Sequence, residues 1–158
     1  MVGTLVIRSW RRLWSSPVLT LNGWVAFNLP RTVTAVGATL LVAVVALHGY
    51  LLAAQPALPM YFAVYAAVLA AGCLAAAAAT AWGRTGGWYL GSLVCLIFLG
   101  IYLISRFVTL PGLEALTGRW DVAAGTFAMA FAAAFIGVHA TVLSGINVAY
   151  PQRQHWRD

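Results

Sequence analysis

The sequence predicts an all-α integral membrane protein with four transmembrane helices and an N-terminal amphipathic helix lying in the membrane interface. Three observations carry this expectation. Of 158 residues, 63% are hydrophobic and 8% charged. A soluble domain carries about 25% charged residues, so this chain cannot cover a water-facing surface. Four apolar runs are each long enough to cross about 30 Å of hydrocarbon. Helix breakers stand in every gap between them.

The elements follow in order. With residues 2–15 placed at about 100° each, Thr4, Arg8, Arg11, Arg12 and Ser15 share one arc, and Val6, Ile7, Trp10, Leu13 and Trp14 share the opposite one. That is a basic interfacial helix with Trp anchors, ended by Pro17; a partner-binding helix is the competing reading. The first span, Thr32–Ala54, begins too late and runs too long for a cleavable signal peptide. The segment Gln55 to Pro59 breaks the chain before the second span, Tyr61–Trp82. Gly83-Arg84-Thr85-Gly86-Gly87 precedes the third, Trp88–Phe107, and Leu110-Pro111-Gly112 precedes the fourth, Val122–Val148, with Pro151 beyond it. The second and fourth spans are rich in small residues, such as Ala66, Ala70 and Gly72, and Ala130, Ala132 and Gly137. Small side chains let helix backbones approach closely in lipid.

Charge sets an orientation. Arg8, Arg11, Arg12, Arg31, Arg84, Arg153 and Arg157 fall on one side of the spans, and Arg106 and Arg119 on the other. The positive-inside rule then puts both termini in the cytoplasm. The net charge of +6 suits anionic lipid headgroups rather than nucleic acid, which needs a folded basic face.

The acids are Glu114, Asp121 and Asp158, and none lies in a span. The spans therefore lack the carboxylates of a proton relay and the paired groups of a catalytic site, and the chain reads as a non-enzyme. Cys73 and Cys95 sit in apolar runs with no CxxC pattern and read as small packing residues. Arg106, Glu114, Arg119 and Asp121 read as a surface charge network, with Arg106 snorkelling to the headgroups.

His48 and His139 are the imidazoles within the spans. His48 lies about 24 Å from the cytoplasmic edge and His139 about 5 Å, from the rise of a helix. Two axial ligands of one iron stand only about 4 Å apart, so a shared haem is excluded. His139 reads as a structural, hydrogen-bonded histidine before a second pigment ligand. His48 has two readings. It is either bonded to a neighbouring hydroxyl, with Tyr50, Tyr61 and Tyr65 in reach, or it is an axial base for the magnesium of a chlorophyll whose ring fills the space beside Ala46 and Gly49.

The residues around His48 favour the second reading. Trp24, Asn28 four residues later and His48 twenty after that resemble the purple-bacterial light-harvesting antenna α polypeptides. Arg31, Thr34 and Ala35 resemble the entry to that family's helix, and Leu51-Leu52 its aliphatic pair after the histidine. Pro59, Tyr61 and Phe62 resemble its Pro-x-aromatic-aromatic stretch. Val44 stands where the family has a small Ala, and Phe62 has no hydroxyl to donate. The resemblance covers about residues 10–62, so it divides the chain into an antenna-α-like segment, 1–62, and three further helices, 63–158.

The resemblance implies a light-harvesting antenna or photosystem subunit in a bacterial inner (photosynthetic) membrane. His48 would be the magnesium ligand of bacteriochlorophyll, with Trp24, Tyr61 and Phe62 as pigment contacts and Tyr61 as hydrogen-bond donor. A carotenoid would be a further cofactor. The partners would be an antenna β-type polypeptide or other photosystem subunits in a ring or larger membrane complex. The alternative is a non-catalytic accessory subunit of a respiratory or transport complex. The stretch from Gly87-Trp88-Tyr89-Leu90-Gly91 through Arg106 to Leu110-Pro111-Gly112 is also similar to an actinobacterial four-helix membrane family of unknown function.

Overall fold

A computed structural model describes residues 30–55, 58–114, 117–120 and 122–144. The expected interfacial helix at 2–15, together with Trp24 and Asn28, lies outside the described residues. Four helices are described: α1 (Pro30–Ala54), α2 (Met60–Ala81), α3 (Thr85–Phe107) and α4 (Ala123–Leu143). Each is long and apolar enough to cross a membrane. Among the described residues there is no strand, as lipid requires of spans that must satisfy their own backbone.

The helices run alternately up and down, and each packs on its two neighbours in a closed ring: α1 on α2, α2 on α3, α3 on α4, and α4 back on α1. One end of the bundle carries the α2–α3 turn at Gly83; the other carries the connections at Pro59 and Gly112. Each helix presents one stripe at three- and four-residue spacing to the shared interior. On α1 it is Val33, Gly37, Leu41, Val44 and His48; on α2, Ala66, Leu69, Cys73, Ala76 and Thr80. On α3 it is Trp88, Gly91, Cys95, Phe98, Tyr102 and Arg106; on α4, Gly125, Ala128, Ala132, Phe135 and His139. This is the spacing that keeps one seam inward through several turns. The other faces carry exposed Leu, Ile, Val and Phe, such as Val68, Leu93, Ile97 and Phe127. Burial from lipid brings no hydrophobic gain, so close packing and internal hydrogen bonds must hold the ring together.

Glycines make that packing close. A Cβ on Gly37 would stand 2.7 Å from the Trp88 ring, and one on Gly91 would stand 2.6 Å from Phe135. Trp88 and Phe135 stack at 5.5 Å between ring centres, and Phe135 is fully buried. Of the small residues expected to face neighbours, Ala66 and Ala132 do so, whereas Ala130 and Gly137 face outward.

The α2–α3 gap differs from expectation. Gly83 alone makes the turn, at φ 74, with its N–H bonded to the Thr80 carbonyl and the Arg84 N–H to Ala79. That pair of bonds is a Schellman closure, which needs a left-handed residue just past the helix. Gly86 and Gly87 instead belong to the first turn of α3. Gly87 is there for space: its Cβ would stand 2.5 Å from the backbone nitrogen of Thr80. At the same end of the bundle, α4 closes at Leu143, and the rest of the expected run, 145–148, lies outside the described residues.

Candidate functional site

His48 sits less than two turns before the end of α1, on the inward stripe, and is only 4% exposed. Its Nδ1 lies 2.9 Å from the Val44 carbonyl, one turn back. A carbonyl only accepts, so Nδ1 carries the proton and the lone pair is on Nε2. The bond to its own helix replaces the tyrosine hydroxyls expected from sequence. Tyr50 faces outward at 63% exposure. Tyr65 meets the imidazole ring to ring at 6.0 Å, and Phe98 of α3 meets it edge-on at 5.2 Å. Ala46 and Gly49, expected to flank a pigment, both face away from the bundle, and a Cβ on Gly49 would meet nothing within 4 Å.

His48 borders a cavity of about 230 Å³ at the Pro59 end of the bundle. All four helices contribute to its wall: His48 and Leu51 from α1, Tyr61, Phe62 and Tyr65 from α2, Phe98, Tyr102, Ser105 and Arg106 from α3, and Gly125 and Ala128 from α4. Leu58, Leu110 and Leu113 close it from the connections, and exposed Gln55 and Tyr61 mark its rim. The wall is aromatic because Phe62 packs on Tyr65 at 5.8 Å and Phe98 on Tyr102 at 6.0 Å between ring centres.

Arg106 corrects the sequence reading. It does not snorkel outward; it is 5% exposed, on the inward stripe one turn beyond Tyr102. Its guanidinium lies 4.4 Å over the Tyr102 ring, a cation–π contact. Gly125 of α4 makes the room: a Cβ there would stand 2.9 Å from the Tyr102 ring and 3.2 Å from the guanidinium. Tyr102 is 7% exposed and its hydroxyl has no hydrogen-bond partner. Tyr102, Ser105 and Arg106 were not singled out as site residues from sequence. Their signal was the stripe Gly91, Cys95, Phe98, Tyr102, Arg106, which carries the inward face to the end of α3.

The other expected site residues separate. Tyr61 does not offer its hydroxyl to a ligand; it donates to the Pro111 carbonyl at 2.7 Å and ties α2 to the α3–α4 connection. Phe62 lines the cavity, and Trp24 lies outside the described residues. Glu114 is exposed, and its carboxylate accepts the Gly112 N–H at 2.9 Å, which holds its pKa below the ordinary carboxylate value. Asp121, another member of the expected charge network, lies outside the described residues. His139 sits at the opposite end, 5% exposed, with Nδ1 2.6 Å from the Ser92 hydroxyl, so the expected hydrogen bond is present. Cys73 and Cys95 are buried free thiols, and no group of three or more metal-ligating side chains occurs among the described residues.

A magnesium macrocycle meets this site in one respect. The Val44 bond fixes the tautomer that leaves Nε2 as a ligand, the usual second-shell arrangement for a metal-bound histidine. The space does not fit. Small-molecule sites run to about 300–1,000 Å³, and a four-pyrrole ring with its ester tail belongs at the upper end. The cavity bordered by the four helices, at about 230 Å³, leaves too little room for it. Comparison with protein-family profiles, with curated proteins and with solved structures finds no match.

Proposed function

We propose that this chain is a non-catalytic, ligand-binding subunit of a membrane complex, and that its ligand occupies the cavity at the Pro59 end. The observation that carries this reading is His48. A buried imidazole with its proton committed to Val44 presents Nε2 to an aromatic-walled cavity, and a bare acceptor in apolar surroundings is costly unless something meets it. The distribution of arginines supports both termini in the cytoplasm, and the antenna resemblance supports a bacterial inner membrane; in that orientation the cavity lies in the periplasmic half. The test is mass spectrometry of lipid-soluble molecules extracted from the purified chain. A small molecule retained by the wild type and lost in His48→Leu supports the reading. Identical extracts from the two, with both folded, remove it.

The tautomer of His48 also favours a second reading, the antenna one. There His48 ligates bacteriochlorophyll beside a β-type polypeptide and a carotenoid. It requires α2 and α3 to part from α1, because the closed ring leaves too little space. Near-infrared absorption of the chain purified with its natural neighbours decides it: bands lost in His48→Leu establish the antenna, and a colourless wild type ends it.

A further inference from the structure

We propose that the turn Leu110-Pro111-Gly112-Leu113 is a lid over the His48 cavity, and that the bond from the Tyr61 hydroxyl to the Pro111 carbonyl is its latch. It rests on the ligand-binding reading above only for what the lid admits. The seat of the turn is apolar. Leu113 is 8% exposed and borders the cavity together with half-buried Leu110, while Pro111 and Gly112 face outward. A Cβ on Gly112 would touch Pro59 at 3.5 Å, so the turn reaches across to the start of α2.

The turn carries its own backbone bonds. The Leu113 N–H donates to the Leu110 carbonyl at 2.9 Å, with Pro111 second and Gly112 third at φ 76. These are the marks of a type II turn. The Gly112 N–H donates to the Glu114 carboxylate, two residues on. None of these bonds breaks if the turn lifts as one piece. A segment with exposed backbone and two seated leucines belongs to the low-stability end of a structure, from which moving parts are drawn.

The latch depends on the turn type. Type I and type II turns differ by about 150° in ψ of the second residue, which turns the following peptide over. In the type II form the Pro111 carbonyl meets Tyr61 at 2.7 Å; the type I form would carry it to the opposite side. Gly112 therefore holds the latch, because only a residue at ease with positive φ keeps this form. Tyr61 is 46% exposed, so water or lipid headgroups can take over both partners when the lid lifts.

The experiment uses the full chain in lipid nanodiscs with Ala128→Cys, which puts a thiol on the cavity wall at a position only 1% exposed. Its reaction with 2-hydroxyethyl methanethiosulfonate, a small neutral probe, is followed by intact mass. The chain without Ala128→Cys is the blank for Cys73 and Cys95, which are buried and do not border the cavity. The proposal expects slow modification that Tyr61→Phe accelerates about 2- to 10-fold, the range of one ordinary hydrogen bond. Gly112→Ala should accelerate it by a similar factor, since Ala at positive φ is strained by more than the bond returns and the turn relaxes to type I. Both changes act on one carbonyl, so the double variant should react no faster than either single one. Tyr89→Phe, at the Gly83 end, should leave the rate unchanged. If Ala128→Cys does not fold, Ser105→Cys, also on the wall, takes its place. A rate that Tyr61→Phe leaves unchanged, additive effects of the two changes, or no modification in any variant overturns the lid. Identical extracts from wild type and His48→Leu would end the ligand-binding reading without altering these rates.

Discussion

At the Gly83 end, His139 is wrapped: Ser92 bonds its Nδ1, Trp88 stacks on it at 5.8 Å, and Tyr89 meets it edge-on at 5.0 Å. At the Pro59 end, His48 is as deeply buried but bonded only to its own helix, with a cavity before it. Both histidines stand on inward stripes, and no charged partner distinguishes them. The difference lies in what the facing helices offer. Gly37 and Gly91 let Trp88 and Phe135 fill the bundle axis near His139. Near His48 the facing positions on α4 are Gly125 and Ala128, too short to reach across. Small residues close one end of this bundle, where a large ring occupies the space they release, and open the other, where none does.

The comparison breaks first at Phe135. Phe135→Ala removes the ring that fills the closed end and should destabilise the bundle by about 3 kcal/mol or more. Leu58→Ala, at a half-buried position already bordering the cavity, should cost about 1 kcal/mol or less. Unfolding of the two variants in mixed micelles measures both. Equal losses would mean that the two ends are packed alike.

A smaller effect separates the two imidazoles. Ser92→Ala leaves His139 Nδ1 without its partner and should lower stability by about 1 kcal/mol. The binding properties of the His48 cavity should not move. A change in the lipid-soluble molecules extracted with the purified chain would show that the two ends communicate.

Much of the architecture was legible in the sequence because lipid leaves few choices. Four runs of sufficient length, with breakers between them, gave four helices whose ends agree to within a few residues, apart from the fourth. The α2–α3 turn was misread because Gly86 and Gly87 look like breakers, whereas Gly87 is needed for close approach to Thr80. The site was legible only in part. His48 and Phe62 stand out by type and position. Arg106 was placed at the surface because it ends an apolar run, although its stripe through Phe98 and Tyr102 points inward. The hydroxyl of Tyr61 was available by composition, but its partner, the Pro111 carbonyl, is 50 residues away and has no sequence signature.

That long-range bond gives the third test. Tyr61→Phe frees the Pro111 carbonyl at an exposed position, so the loss should be about 0.5 kcal/mol. The sharper readout is local: amide exchange at Leu113, whose N–H bonds to Leu110, should accelerate, while exchange at Gly83 and Arg84 stays unchanged. Acceleration at both ends would mean that the rim of the cavity and the closed end unfold as one unit.

The smallest effect expected concerns pH at the same rim. The Glu114 carboxylate accepts the Gly112 N–H, in a turn where Gly112 takes φ 76. That bond favours the charged form and holds the pKa below its ordinary 4.5, with the Glu114 backbone N–H as a weaker contributor. The sign follows from linkage. A depressed folded-state pKa contributes stability that is present above the unfolded value and lost as pH falls through the folded one. The turn should therefore hold at neutral pH and loosen only as pH falls through 4.5 and below. The side chain is exposed, so the whole-chain melting temperature should barely move, and the effect must be read locally. Infrared difference titration of the carboxylate should show protonation below the ordinary range, and amide exchange at Gly112 should rise over the same interval. Glu114→Gln, which keeps an acceptor but no charge, should remove the pH dependence while leaving the Pro59 end folded. A carboxylate titrating at or above 4.5 would mean that the turn is not held by this bond, and that Tyr61 alone secures the α3–α4 connection over the cavity.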